Sequence, residues 1–180
     1  IGLVQKYIGG TKTTPTLAKI GGKTWLRQKA AAEEAVADLA SEMLELQAMR
    51  TARPGIAFGP DTQWQHEFDA SFPYTETPDQ AVAIRAVKED MSLPRPMDRL
   101  ICGDVGFGKT EIAVRAAFKA CVDGKQAAVL VPTTILAFQH YKTFKERLKD
   151  FPVTVDYINR FKTAAQKKET IQRVKEGKID

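Results

Sequence analysis

The chain has 180 residues, 43% of them hydrophobic, which is enough for one ordinary domain or for one small domain with pieces of its neighbours. Lys and Arg outnumber Asp and Glu by 27 to 22, a mild basic bias that permits an anionic partner such as nucleic acid without requiring one. No stretch approaches the ~18 to 20 consecutive apolar residues of a membrane span and no charged-then-apolar leader is evident, so a cytoplasmic protein with no membrane partner is expected.

Residues 1–22 read as the end of an upstream domain. Apolar Ile1, Leu3, Val4, Tyr7 and Ile8 run into Gly9-Gly10 and a Lys/Thr/Pro stretch, and a second glycine pair, Gly21-Gly22, follows. The first residue is Ile1 and the last four, Gly177 to Asp180, read as the opening of an unfinished strand. The expectation is an internal piece of a longer protein.

Residues 23–53 form the next segment. From 24 to 52 there is no Gly or Pro, alanine is abundant, and Val36, Leu39, Ala40, Met43, Leu44 and Leu46 recur at helical spacing. One helix of that length reaches roughly 40 Å at 1.5 Å per residue, suited to joining two domains, with a bundle helix as the alternative. Arg53-Pro54-Gly55 ends it, because proline cannot continue the helical hydrogen bonding.

Residues 54–98 are an aromatic-rich helical segment carrying Trp64, Phe68, Phe72 and Tyr74. A helix is predicted over 61–70, and Thr77-Pro78-Asp79-Gln80 opens another that runs to about Met91, with Thr77 as N-cap and Pro78 at the first helical position.

After Pro94-Arg95-Pro96, residues 99–180 alternate short apolar runs with helical stretches. Strands are predicted over 99–102, 126–131 and 153–158, and helices over 109–122, 134–149 and 164–176. Helices of this length between strands imply parallel pairing through right-handed crossovers, hence an α/β fold with a three-layer parallel sheet. Cys102 and Cys121 have no CxxC spacing and read as small core residues, while His66 and His140 stand apart from any cysteine cluster.

Gly103-Asp104-Val105-Gly106-Phe107-Gly108-Lys109-Thr110 matches the phosphate-binding loop G-x-x-x-x-G-K-[ST] in full, between a predicted strand and a predicted helix. Its glycines let the backbone amides turn inward as an anion cradle at the positive end of the helix. Lys109 is placed to reach the β and γ phosphates and the Thr110 hydroxyl to bind Mg²⁺, so both are assigned catalytic roles. A small-molecule kinase, a GTPase and a motor all share such a loop.

Flanking residues choose among these. Phe72 and Gln80 bracket a segment ahead of the loop in which an aromatic ring can stack on a base and a glutamine can read an adenine edge. Thr133, Thr134 and Gln139 lie where the second predicted strand enters a helix, a place for contact with a nucleic-acid backbone, although Thr134 also suits a plain N-cap. Asn159-Arg160-Phe161-Lys162-Thr163 follows the third predicted strand, and Arg160 suits a phosphate contact, with a solvated loop as the alternative.

The segments Phe72 to Gln80, Pro96 to Glu111 and Val131 to Ala137, with Val4 to Gly9 and Leu17 to Trp25 upstream, resemble the bacterial transcription-repair coupling factors, a branch of the superfamily 2 DNA translocases. The resemblance covers essentially the whole chain. The Met97-Asp98-Arg99-Leu100 run into the loop favours this family over RecG-type branch-migration helicases.

The resemblance implies a partial RecA-like lobe and an ATP- and Mg²⁺-dependent motor. It implies double-stranded DNA as track, the RNA polymerase β subunit as a partner reached through residues 1–22, and an excision-repair protein recruited through other domains. It also makes 72–80 a Q motif and 131–140 motif Ia. Asn159 and Phe138 depart from the family pattern, so Arg160 is carried over as a DNA contact and those two are not. Because the acidic Walker B motif and the second lobe fall outside this sequence, the chain is expected to bind ATP at best and not to hydrolyse it. A non-motor P-loop enzyme and a polymerase-docking module over 1–53 are the competing readings.

Overall fold

The computed structural model describes residues 19 and 21–180. Most of the upstream tail read over 1–22 lies outside the described residues. The chain divides into two compact units, Ile1–Ala52 and Arg53–Asp180.

In the first unit the Ala-rich stretch forms α1, Lys23–Ala52, with a basic residue, Arg50, in its last turn, where a cation complements the helix dipole. None of its residues is buried. Lys29 and Glu33 pair at 3.5 Å across one turn, but Val36, Leu39, Met43, Leu44 and Leu46 are all exposed. Among the described residues no helix is long and apolar enough to cross a membrane.

The second unit holds α2 (Gln63–Ala70), α3 (Pro78–Met91), α4 (Lys109–Val122), α5 (Thr134–Arg147) and α6 (Ala164–Lys175). The start of α3 is a capping box: the Thr77 hydroxyl accepts from the Gln80 amide at 3.2 Å and the Gln80 side chain accepts from the Thr77 amide at 2.9 Å.

The three-layer parallel sheet, and with it the partial RecA-like lobe, is not what the structure contains: among the described residues there is no strand. The runs 99–102, 126–131 and 153–158 carry no ladder. Ala127 donates to the Asp180 carbonyl at 2.7 Å and Asp180 to that of Thr154 at 3.0 Å, isolated bonds where a parallel pair needs an evenly spaced series. Leu100 and Leu130, which lie in two of the predicted strands, are 85% and 98% exposed. An apolar run signals a segment suited to burial but not whether a second backbone lies beside it.

Helix α4 is the centre instead, packed by α2 and α3. On one side Val114 and Phe118 join Phe68 of α2, Phe144 of α5 and Leu148; on another Ile112 and Ala120 join Ile84, Val87 and Met91 of α3. Phe68 and Phe118 stack at 4.4 Å, and Phe151 meets both edge-on at 5.3 and 4.9 Å. Cys121 is half-buried, its thiol pushed up to about 11 by burial, while Cys102 is exposed rather than in the core.

Between the apolar faces runs a line of charge. Glu111, Arg115 and Lys119 recur every four residues and all are buried. Lys119 donates to the Gly59 carbonyl at 2.6 Å and to Asp61 at 3.0 Å. Lys88 of α3 bridges Asp61 at 2.5 Å and Asp69 at 2.6 Å.

Burial alone raises the Asp61 carboxyl, but the bonds from Lys88 and Lys119 outweigh it and hold it below its ordinary 3.8. Burial lowers the Lys88 ammonium, and the bonds to Asp61 and Asp69 more than reverse this.

Two outcomes are expected. Phe118→Ala should cost about 3–5 kcal/mol in urea denaturation, because the ring is enclosed and its site cannot collapse freely. For the ion cluster, the folded carboxyl is depressed, so its stabilisation is full above the unfolded pKa and is lost as pH falls through the folded one. The raised Lys88 contributes below its unfolded pKa and is lost as pH rises through its folded one. Urea midpoints measured against pH should therefore fall on acidification below about 4, and Lys88→Met, by letting the folded Asp61 carboxyl rise toward its unfolded value, should make that fall smaller.

Candidate nucleotide site

The loop at 103–110 turns on two left-handed glycines, Gly106 (φ +85°) and Gly108 (φ +74°), a conformation that costs an L-residue about 1–2 kcal/mol. Gly108 is also the N-cap of α4 and offers no side-chain bond. By contrast α3, α5 and α6 are closed by the hydroxyls of Thr77, Thr133 and Thr163. The start of α4 is thus left without a side-chain acceptor where an anion can take its amides.

Lys109 folds back into the loop, its ammonium donating to the carbonyls of Gly103 at 2.5 Å and Asp104 at 2.6 Å. An added Cβ on Gly103 would meet the Lys109 stem at 3.6 Å. Val105 is 97% exposed and Phe107 is exposed too, so these positions offer backbone rather than side chain to a ligand. Thr110 is half-buried in the first turn of α4.

Gln80 reaches this loop from α3. Its side-chain N–H donates to the Phe107 carbonyl at 3.0 Å while its oxygen stays in the capping box with Thr77. Of the four hydrogen bonds a carboxamide can make, one donor and one acceptor position remain. Phe72 is placed differently: its ring lies 5.3 Å from the Arg115 guanidinium and 5.6 Å from that of Arg147, with Tyr74 edge-on at 5.6 Å. It packs against cations.

Sequence reasoning missed the polar network under this site. Glu111, one residue beyond Thr110, accepts from Arg115 Nε at 2.9 Å and from Arg147 of α5 at 2.7 Å. Arg115 Nη1 donates to Glu76 at 2.5 Å. The signal was present in the i, i+4, i+8 repeat of Glu111, Arg115 and Lys119, which ordinarily marks a solvated helix face.

The nucleic-acid candidates divide. Thr133 is the N-cap of α5 and accepts from the Leu136 amide at 3.2 Å; Thr134 is its first helical residue. Both line an open groove of about 700 Å³ together with Asn159. Gln139 is exposed one turn along α5. Asn159 accepts from the Phe161 and Lys162 amides at 3.0 and 3.3 Å, a tight turn that leaves Arg160 exposed with its guanidinium 5.3 Å from the Phe161 ring. The two segments are joined by rings, Tyr157 meeting Phe138 at 5.6 Å and Tyr141 at 4.7 Å.

A Cβ on Gly108 would stand 2.4 Å from the Gln80 side-chain nitrogen. Gly108→Ala should therefore cost about 1–2 kcal/mol in urea denaturation from the left-handed backbone. It should also push the Gln80 carboxamide off the Phe107 carbonyl, seen as a shifted, faster-exchanging side-chain amide pair in ¹H–¹⁵N spectra. An unmoved Gln80 signal would contradict the geometry.

The profile of the DEAD/DEAH box helicases matches residues 77–180, from the N-cap of α3 onward. The chain is 52% identical to the transcription-repair-coupling factor of Bacillus subtilis (strain 168) over 98% of its length and 15% of that protein. It is 53% identical to the factor of Mycobacterium bovis over 98% of its length and 14% of that protein. The chain thus spans about one-seventh of the curated relatives it matches. Among solved structures, RecG bound to a three-way DNA junction superposes with a TM-score of 0.70 at 33% identity, over 76% of this chain and 19% of that one. With a family match over more than half its length, the chain belongs to the DEAD/DEAH box helicase family.

Proposed function

We propose that this chain is the nucleotide-binding part of an ATP-dependent double-stranded DNA translocase that displaces stalled RNA polymerase and couples transcription to nucleotide excision repair. The observation that carries the nucleotide reading is the loop itself: an uncapped α4 start, two left-handed glycines and a lysine ammonium directed into the turn. The coupling role rests on 51–53% identity to proteins of that name over nearly the whole chain.

The residues fit Mg-ATP. The backbone from Gly103 to Gly108 offers amides, and Lys109 exchanges its two carbonyl partners for phosphate oxygens. The Thr110 hydroxyl is a hard oxygen ligand for Mg²⁺. The remaining donor and acceptor of Gln80 match the N6 amino group and N7 of adenine, whereas guanine presents two acceptors there.

Thr133, Thr134, Gln139 and Arg160 serve as contacts to the DNA backbone. Residues 1–22 belong to a surface for the polymerase β subunit, 23–53 to a connecting helix, 54–98 to the base-reading segment and 99–180 to the beginning of the motor. An excision-repair protein engages other parts of the full-length protein, which acts in the cytoplasm. A RecG-type branch-migration helicase is the second reading, favoured by the 33% identical structural neighbour and outweighed by the higher identity to the coupling factors.

Calorimetry with Mg-ATP and Mg-GTP should show a preference for ATP. Lys109→Ala should weaken both at least about tenfold, since a charge-assisted phosphate bond is worth roughly 1.5–3 kcal/mol. Gln80→Ala should erase the preference. The chain by itself should show no steady hydrolysis, and turnover that depends on Lys109 would overturn that part of the reading.

A further inference from the structure

Gln80 reads a base only if the start of α3 keeps its place over the phosphate loop. Its own bonds, to the Phe107 carbonyl and to the Thr77 amide, fix the side chain relative to two backbones. They tie those backbones together through one side chain only. A second connection lies one residue before the N-cap, where Glu76 accepts from Arg115 Nη1. Arg115 is rooted in α4 and tied through Nε to Glu111, in the turn that follows the loop.

The contacts close a circuit: Phe107 to Gln80, Gln80 to Thr77, Glu76 to Arg115, Arg115 to Glu111, and Glu111 along the chain to Gly108 and Phe107. We infer that Arg115, acting through Glu76, is a positioning residue for base selectivity, holding the α3 N-terminus against the P-loop helix so that Gln80 presents its free donor and acceptor in register. The inference rests on the reading of Gln80 as an adenine reader.

Two details set this arginine apart from an ordinary ion pair. It is 4% exposed, yet its Nη2 has no hydrogen-bond partner, so the guanidinium gives up a bond in order to meet Glu111 and Glu76 with its other nitrogens. It also lies 5.3 Å from the Phe72 ring, so the same group meets the segment from Phe72 to Gln80 at two points, Phe72 and Glu76. Burial lowers its pKa, and the bonds to Glu111 and Glu76 more than restore it, which keeps the fork charged.

Glu76 is the residue to change, because it is only half-buried and its loss leaves the apolar core intact. The measurement is calorimetric affinity of the 180-residue chain for Mg-ATP, Mg-GTP and Mg-tripolyphosphate, with melting followed by circular dichroism. Glu76→Gln should reduce the ATP-over-GTP ratio about fivefold, the worth of one ordinary hydrogen bond, while tripolyphosphate affinity stays within about twofold. Glu76→Asp, which keeps the charge, should recover part of the ratio, and Arg115→Lys, which loses the fork, should mimic the glutamine.

An unchanged ratio in Glu76→Gln, or a parallel loss for all three ligands, would overturn the inference and reduce the contact to a structural one. If the unmodified chain binds ATP and GTP equally, the adenine reading of Gln80 fails and the inference goes with it. That result is read before any Glu76 or Arg115 variant is made.

Discussion

Helix α4 carries Glu111, Arg115 and Lys119 along one line, and the line is buried. Burying charge is costly unless each group meets an opposite partner with good geometry. The larger unit is arranged so that each does. The approach to α2 brings Asp61 and the Gly59 carbonyl to Lys119, the approach to α3 brings Glu76 to Arg115, and α5 brings Arg147 to Glu111. Apolar packing on either side of the line supplies the non-directional stabilisation. The charges decide which segments lie where.

That division explains why the nucleotide loop and the buried network share a helix. A phosphate loop needs the first turn of α4 open, so that end gains nothing from a cap. The next turn compensates: Glu111, immediately after the loop, takes two arginines from different elements. Removing one partner of such a set leaves a buried charge uncompensated, at a cost of roughly 3–5 kcal/mol. The open turn is anchored by the turn behind it.

How much of this the sequence disclosed follows from how local each signal is. The loop at 103–110 and the Thr77 N-cap with Pro78 are contiguous, and the residues that mark them also shape them. The helix at 109–122 was legible for the same reason. The predicted strands failed because pairing depends on a distant backbone that a run such as 126–131 does not encode.

The buried charge line was read past because Glu, Arg and Lys at four-residue intervals ordinarily face water. The position of Phe72 ahead of the loop suggests a stacking ring, while the two arginines that converge on it come from α4 and α5, far along the chain. At α5 the departure was one residue: Thr133 caps the helix, a distinction within the usual uncertainty of a helix boundary.

Helix α1 has thirty residues, none of them buried. Its order comes from alanine content and backbone bonding rather than from a core, so it is governed by helix–coil statistics. Warming such a helix frays it progressively from its ends, whereas the larger unit, with two apolar clusters and a buried charge network, gives way in a concerted transition. The far-ultraviolet ellipticity of the chain then declines on a slope before it breaks, and one melting temperature describes only the second of the two processes.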